Sequence, residues 1–596
     1  MMIPKYFYYL LIFAAMNAVA SGAYSKTGPP YQRIAFTKQK GAGQLTTNAI
    51  QIFQRLVKER SKTDLFGSGP GNPLGITLNV IKNTLPTGGY KIENTATGHI
   101  RITAGDESGL LYGIGKLLHT SFVDSLGFSP GAWHGTSVPD KPVRGMYFST
   151  HNHNFYQDAP IDEVKNYVEE LAMWGINGLE VWFDMHNYNG IEDPDAQAML
   201  DRLSIILKAG KAVGMKSCII MIGNEGYNSS PVALRANPNT KRGHYHVELC
   251  PSLPAGRALI LKQVNEELDA FILRNAPIDK IMLWPYDEGG CACNLCTPWG
   301  ANGYLKITKE ISAIIKKRLP KVNITLSTWL FDYGTEQGEW KGLAQAFKNE
   351  NPWVNHILAD SHGTFPEYLL KNPVPGNLPL LNFPEISMWG AWPWGIYGAT
   401  PLPNRFQGLW NSVSEKVIGG YPYSEGIYED INKVIFSQFY WDRKKTAEQT
   451  LKEYVAFEYS PEYISEVLEA IHILEKNHGM STAKWAMVPG APKAIVFPEQ
   501  DAGAERAYHL LKEVDKRLPQ NRKKAWRWRI LLLRAMLDYE IRQQKGVPNA
   551  AVEAGFQEIL QIFHVEKGDV RVRPPVNYGE RYPIRKTANG PTSEKN

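Results

Sequence analysis

Between Val143 and Gly426 the chain alternates short apolar runs with amphipathic segments. The runs are VRGMYFST, GLEVWFD, KSCIIMIG, KIMLWPYD, NITLSTWLF, NHILADSH, LPLLNFPEIS and KVIGGYPYSEG. They are short and largely apolar, as strands buried on both faces require. Helix-periodic segments separate most of them. Val164, Tyr167, Val168 and Leu171 share one helical face, and Leu305, Ile307, Ile311, Ile314 and Ile315 mark another. The pattern predicts an α/β fold, a (β/α)8 barrel over residues 140–445, with only a short helix between the sixth and seventh strands. A doubly wound sheet would show fewer strands and a Gly-rich phosphate loop, and neither GxGxxG nor a P-loop occurs in the required context.

The flanking segments have other patterns. Residues 30–135 predict a small α/β domain. Its strands are RIAF, GITLNVI, GGYKIEN and HIRITAG; its helices are TTNAIQIFQRLVKER and a segment from Gly109 to His119, with Gly and Pro clusters between. After Trp441 the chain reads as helical throughout, through EQTLKEYVAFEY, AWRWRILLLRAMLDYEIRQQ and VEAGFQEILQIF. This predicts a helical domain over 446–575 and a disordered polar tail at 576–596. At the other end, Lys5 precedes an apolar run from Tyr6 to Met16 and then small residues. That order predicts a signal peptide over residues 1–22 and a secreted or periplasmic protein. The run is shorter than the ~20 residues that span a bilayer, and no later stretch is long and apolar enough, so no membrane insertion is expected.

A formal net charge of +6 spread over 596 residues forms no basic stripe, so nucleic acid is not an expected partner. The 16 Trp and 29 Tyr change the picture more, because several Trp fall in loops. Flat aromatic faces with polar edges suit sugar rings. The five cysteines are Cys218, Cys250, Cys291, Cys293 and Cys296. Cys218 lies in an apolar run and reads as core. The other four fit either a structural zinc site with four thiolate ligands or one disulfide with spare thiols.

Barrel enzymes place reactive groups at the C-terminal ends of their strands. Those ends carry Arg144 and Asn152 on the first strand, Asp184 on the second and Glu225 after the third. Asp287 and Glu288 end the fourth, Asp332 the fifth, Asp360 the sixth, Glu385 the seventh and Glu425 the eighth. Trp182, Trp284, Trp329, Trp389, Trp392 and Trp394 lie near the same ends. One acid alone reads as a cap or an ion pair. A ring of acids with aromatic walls is what glycoside hydrolysis uses: one carboxyl protonates the leaving oxygen while another stabilises or attacks the cationic sugar carbon. No cofactor is expected for that chemistry, and the expected partner is an oligosaccharide or polysaccharide.

The segment RGMYFSTHNHNFYQDAPIDEVKNYVEELAMWGINGLEVWFD resembles the first strand–helix–strand of glycoside hydrolase family 20, the β-N-acetylhexosaminidases. The domain before it is similar to one those enzymes share with α-glucuronidases. The Asp287–Glu288 pair in LWPYDEGG resembles that family's Asp-Glu pair, and YSEG resembles its Trp-Gly-Glu position, with Tyr423 in place of Trp and Glu425 as the carboxylate. Pro-Tyr replaces the family's Gly-Gly before the pair, and Asn152 stands where it has a sugar-gripping Arg. The resemblance implies a retaining, substrate-assisted exo-hydrolase. Glu288 would then be the general acid/base, Asp287 would orient the substrate's acetamido group, and Asp184 would bind sugar hydroxyls. Trp284, Trp329, Trp389 and Glu385 complete the expected sugar-binding set. Other readings are a conventional pair, Glu288 with Glu385 or Glu425, as in an α-glucuronidase-like or endo-acting enzyme; a non-catalytic glycan-binding barrel; and a lyase or epimerase.

Overall fold

A computed structural model describes residues 28–39, 42–151, 154–238, 246–286, 289–333, 337–361, 364–386, 399–477, 503–544 and 549–564. The predicted signal segment and the predicted tail lie outside the described residues. The first domain is built on β1 (Arg33–Lys38), β2 (Pro73–Val80), β3 (Tyr90–Ala96) and β4 (His99–Ala104). A hairpin follows, β5 (Phe122–Asp124) with β6 (Gly127–Ser129), and then β7 (Gly135–Ser137), which joins the sheet in the order β1-β2-β4-β3-β7. The helix read from Gly109 begins earlier, at Glu107, because the Asp106 carboxylate accepts the Gly109 N–H at 2.8 Å and caps it.

The barrel strands are β8 (Val143–Phe148), β9 (Gly178–Trp182), β10 (Lys216–Ile222), β11 (Lys280–Trp284), β12 (Asn323–Ser327), β13 (His356–Asp360) and β14 (Leu380–Phe383). The eighth strand comes in two pieces, β15 (Gly419–Gly420) and β16 (Tyr423–Ser424), and both pair in parallel with β8 to close the ring. The break falls at Tyr421 and Pro422, and proline has no N–H for the ladder. Between the sixth and seventh strands the described residues hold a single, short α-helix, Glu367–Lys371, as expected. Side chains fill the interior, among them Tyr147, Trp182, Ile220, Met282, Trp284, Leu358, Leu381 and Phe383. Gly145 makes room for one of them: a Cβ there would sit 2.3 Å from the Tyr421 ring.

Arg144 is corrected by the structure. It stands near the start of β8, at the floor of the barrel and not at the rim formed by the C-terminal ends of the strands. Its guanidinium donates to the carbonyls of Gly175 and Lys141 at 2.6 and 2.9 Å and lies over the rings of Trp441 and Tyr112. It therefore ties the barrel floor to the first domain. Gly115 serves the same junction, because a Cβ there would lie 2.2 Å from the Met173 carbonyl oxygen. On the far side, Arg527 of helix Trp526–Gln543 binds Asp430 at 2.7 Å and Glu170 at 2.8 Å. Tyr167 and Tyr454 donate to the same Asp430 carboxylate, each at 2.7 Å. The late helices are thereby clasped to the barrel wall.

One interior acid gives a pH prediction. Glu180 on β9 is fully buried, and burial pushes its pKa up to about 8, against a smaller pull from Lys280 and a Cys218 contact. Folding therefore favours the protonated carboxyl. The stability this contributes is complete below the ordinary carboxyl range and is lost as pH rises toward 8. Between about pH 5 and pH 8 wild type is expected to lose a few kcal/mol from this group. Glu180→Gln should flatten that slope in urea melts, and superimposable pH–stability curves would refute the assignment.

Candidate active site

Asp287, Glu288, Asn152, Trp389, Trp392 and Trp394 lie outside the described residues. The residues on both sides of the Asp-Glu pair are described, and both sides are held by buried hydrogen bonds. Before the pair, the Pro285 carbonyl accepts from Trp299 Nε1 at 2.6 Å, and the buried Tyr286 hydroxyl donates to Glu339. Glu339 is itself fully buried and also accepts the backbone N–H groups of Gly300 (2.7 Å) and Asp332 (2.8 Å). After the pair, buried Asn224 bonds both polar atoms of one peptide residue. Gly290 N–H donates to its Oδ1 at 2.8 Å, and its Nδ2 donates to the Gly290 carbonyl at 2.9 Å. The same Nδ2 reaches the Leu249 carbonyl at 2.8 Å. Asn224 stands just past β10, so it stitches the loop after the third strand to the loop after the fourth.

Around this segment the strand ends deliver an aromatic arc. Trp284 stacks on Trp329 at 5.7 Å between centroids and meets Phe383 edge-on at 4.9 Å. Phe383 contacts Tyr423 at 5.8 Å, Tyr423 contacts His151 at 6.2 Å, and His151 contacts Trp182 at 4.6 Å. Trp182, Trp284 and Phe383 are buried, whereas Trp329, Tyr423 and His151 are half-buried and present the outer ring faces of the arc, of the kind on which sugar C–H groups stack.

Acids interrupt the arc. Glu425 accepts from the Tyr423 hydroxyl at 2.7 Å and the Tyr428 hydroxyl at 3.3 Å, so its carboxylate is fixed. Burial first, and the Glu425 charge second, push the Tyr423 hydroxyl well above its ordinary range, keeping it a donor. Asp184, after β9, accepts from Asn187 Nδ2 at 3.0 Å and from the ring and backbone of His186. Glu225 is buried behind it, accepting Trp182 Nε1 at 3.3 Å and the Met185 backbone N–H. Its pKa is raised well above the carboxylate range, by burial first and then by the Asp184 and Glu267 charges. Through these two hydrogen bonds Glu225 braces the second strand's end. Glu385 follows β14 and bridges in parallel to Tyr423. Asp360 ends β13 and, with Asp332, Tyr333 and Tyr368, lines a rim cavity of about 520 Å³, large enough for a sugar residue. Asp332 also has a capping role: it accepts the Glu339 N–H at 2.7 Å at the start of helix Glu339–Asn349.

No protein-family model matches the sequence, and no curated protein matches it. Solved structures do match. One is a family GH115 4-O-methyl-α-glucuronidase with specificity for decorated arabinogalactans, at TM-score 0.55 and 10% identity, covering 90% of this chain and 76% of that one. Another is a family 89 glycoside hydrolase from Clostridium perfringens in complex with its substrate GlcNAc-α-1,4-galactose, at TM-score 0.55 and 12% identity, covering 87% of this chain and 65% of that one. A family 20 exo-β-N-acetylglucosaminidase from Vibrio harveyi matches at TM-score 0.48 and 11% identity, covering 73% and 77%. The chain has the fold of the (β/α)8 glycoside hydrolases.

Within that fold the rim residues Asp184, Trp284, Trp329, Glu385, Tyr423 and Glu425 all stand at strand ends of one face. Sequence reasoning missed His151, Asn224, Tyr428 and Glu339. The first two were open to the same strand-end reading, in FSTHN and IGNEG. Glu339 carried no local signal, because it reaches Tyr286 from a helix 53 residues away in sequence. The four cysteines Cys250, Cys291, Cys293 and Cys296 converge beside the Asn224 stitch, with all four sulfurs within 4.8 Å of one another. Cys218 lies apart, in the barrel interior.

Proposed function

We propose that this protein is an exported glycoside hydrolase that removes a sugar from an oligosaccharide or polysaccharide, with Glu288 as general acid/base. The observation that carries the reading is the double anchorage of the chain on either side of Asp287–Glu288 at a rim rich in acids and aromatic rings. Preorganised catalytic segments need such support, because small misplacements cost rate steeply. The mechanism we favour is substrate-assisted. Glu288 gives its proton to the glycosidic oxygen as the bond to the anomeric carbon breaks. The acetamido oxygen of the same sugar attacks that carbon, and Asp287 stabilises the positive charge that develops on the acetamido nitrogen. Glu288 then takes a proton from water, which opens the cyclic intermediate with net retention. A substrate with an N-acetylated sugar is consistent with the GlcNAc-containing ligand named for the family 89 structure.

A second reading has one observation in its favour: Glu425 is a carboxylate pinned by two tyrosine hydroxyls and would suit a conventional pair with Glu288. A thiazoline mimic of the cyclised N-acetyl sugar separates the two. Under assistance it should inhibit at concentrations at least ~10²-fold below those at which the free sugar does, since intermediate analogues capture differential binding. No inhibition, together with turnover of glycosides that lack an acetamido group, would replace the first mechanism with the second.

A further inference from the structure

We infer that Cys250, Cys291, Cys293 and Cys296 form a structural zinc site whose task is to hold the loop that carries Asp287 and Glu288; the positioning part of this inference rests on the function proposed above. The sulfur geometry is the first reason. Cys291 and Cys250 are 3.6 Å apart and Cys250 and Cys293 are 3.9 Å apart. A disulfide requires about 2.05 Å, whereas the edge of a tetrahedron of sulfurs about 2.3 Å from a central zinc is about 3.8 Å. All four are free thiols, none paired with another. Two separate bonds would also force one of them to close inside the short CACNLC run, because only Cys250 lies outside it.

The surroundings are the second reason. Cys250, Cys291 and Cys296 are buried and Cys293 is half-buried, so the four sulfurs face one another rather than solvent. The Ser252 hydroxyl lies 2.9 Å from Cys250 Sγ and 3.3 Å from Cys293 Sγ, where it can donate to metal-bound thiolates and orient them. The Cys293 carbonyl accepts the N–H groups of Cys296 at 2.9 Å and Thr297 at 3.0 Å, a tight turn that presents Cys293 and Cys296 together. Four sulfur ligands leave no open coordination position, so the ion could not activate water.

The location gives the site its role. Cys250 belongs to the loop after β10, and Cys291 follows Gly290, which Asn224 already holds from that same side. Ala292 N–H adds a bond to the Asn237 carbonyl at 2.9 Å. Metal and asparagine together join the loops after the third and fourth strands, immediately downstream of Glu288.

The test starts with the full-length protein purified without chelator. Elemental analysis should find about one zinc per chain. Growth on cobalt should give protein with the visible absorption of a tetrahedral thiolate-bound Co(II) ion. Cys218→Ala should keep the metal, while Cys293→Ser should lose most of it and melt at a lower temperature. Metal-free wild-type protein with unchanged melting, or an intact mass showing hydrogens lost to disulfides, would overturn the site. The positioning role is read separately. Chelation followed by assay well below the new melting temperature should lower kcat more than it changes KM, and added zinc should restore it. Full kcat in zinc-depleted enzyme would overturn that role. Zinc stoichiometry does not depend on turnover, so a protein that hydrolyses no glycoside leaves the metal arm intact, and an active metal-free enzyme defeats the metal alone.

Discussion

Glu288→Gln is expected to lower turnover of glycosides with poor leaving groups by about 10²–10⁴-fold, the usual contribution of general acid–base catalysis. The amide keeps the volume of the carboxyl but cannot give up the proton that the departing oxygen needs. The loss should shrink for activated aryl glycosides, whose leaving groups depart without protonation, and grow as leaving-group pKa rises. Melting temperature should stay close to wild type, because the change is isosteric and the chain on both sides keeps its anchors at Tyr286 and Gly290. A flat dependence on leaving-group pKa, with wild-type rates throughout, would remove Glu288 from the mechanism.

Asn224→Ala should be the most damaging change among residues that need not touch substrate. It removes three hydrogen bonds at once, two to Gly290 and one to Leu249. It also leaves their buried partners unsatisfied, at about 1–3 kcal/mol each when water cannot reach them. The released loop begins immediately after Glu288. A displacement near 1 Å at a catalytic group costs roughly 10²-fold in rate, so kcat should fall by about that factor with a smaller change in KM. The melting temperature should drop as well. Assay at low temperature, where the variant is fully folded, separates misplacement from unfolding: a kcat equal to wild type under those conditions would show that the stitch is structural only.

The barrel was legible in the sequence because its strands are buried on both faces and read as apolar runs without alternation. Such runs as GLEVWFD and KSCIIMIG could scarcely be anything else. Where the chemistry of a strand was broken, the reading blurred. KVIGGYPYSEG reads as one strand, but Pro422 splits it into β15 and β16. The strand β7, Gly135–Ser137, has no apolar periodicity to announce it and is made by pairing with β3. Arg144 was misassigned because an Arg beside an apolar run looks functional, whereas chain direction puts it at the start of β8 and so at the floor. Asp184 and Glu425 were legible as rim acids from strand direction alone. Asp332 shows the limit of that logic, since the same position also caps a helix. Long-range partners such as Glu339 with Tyr286 leave no local trace, and only the folded chain brings them together.

The central claim is that this barrel mouth hydrolyses glycosides through Glu288. The most direct measurement is release of aglycone from a panel of aryl glycosides spanning α and β anomers of N-acetylated hexosamines, uronic acids and neutral sugars. It should be run on wild type and Glu288→Gln in parallel, with the free sugar identified by mass. The account predicts turnover of at least one N-acetylhexosaminide by wild type, with release of the single terminal sugar and near-complete loss in the variant. Glycan binding without hydrolysis of any panel member, or equal hydrolysis by both proteins, would contradict it.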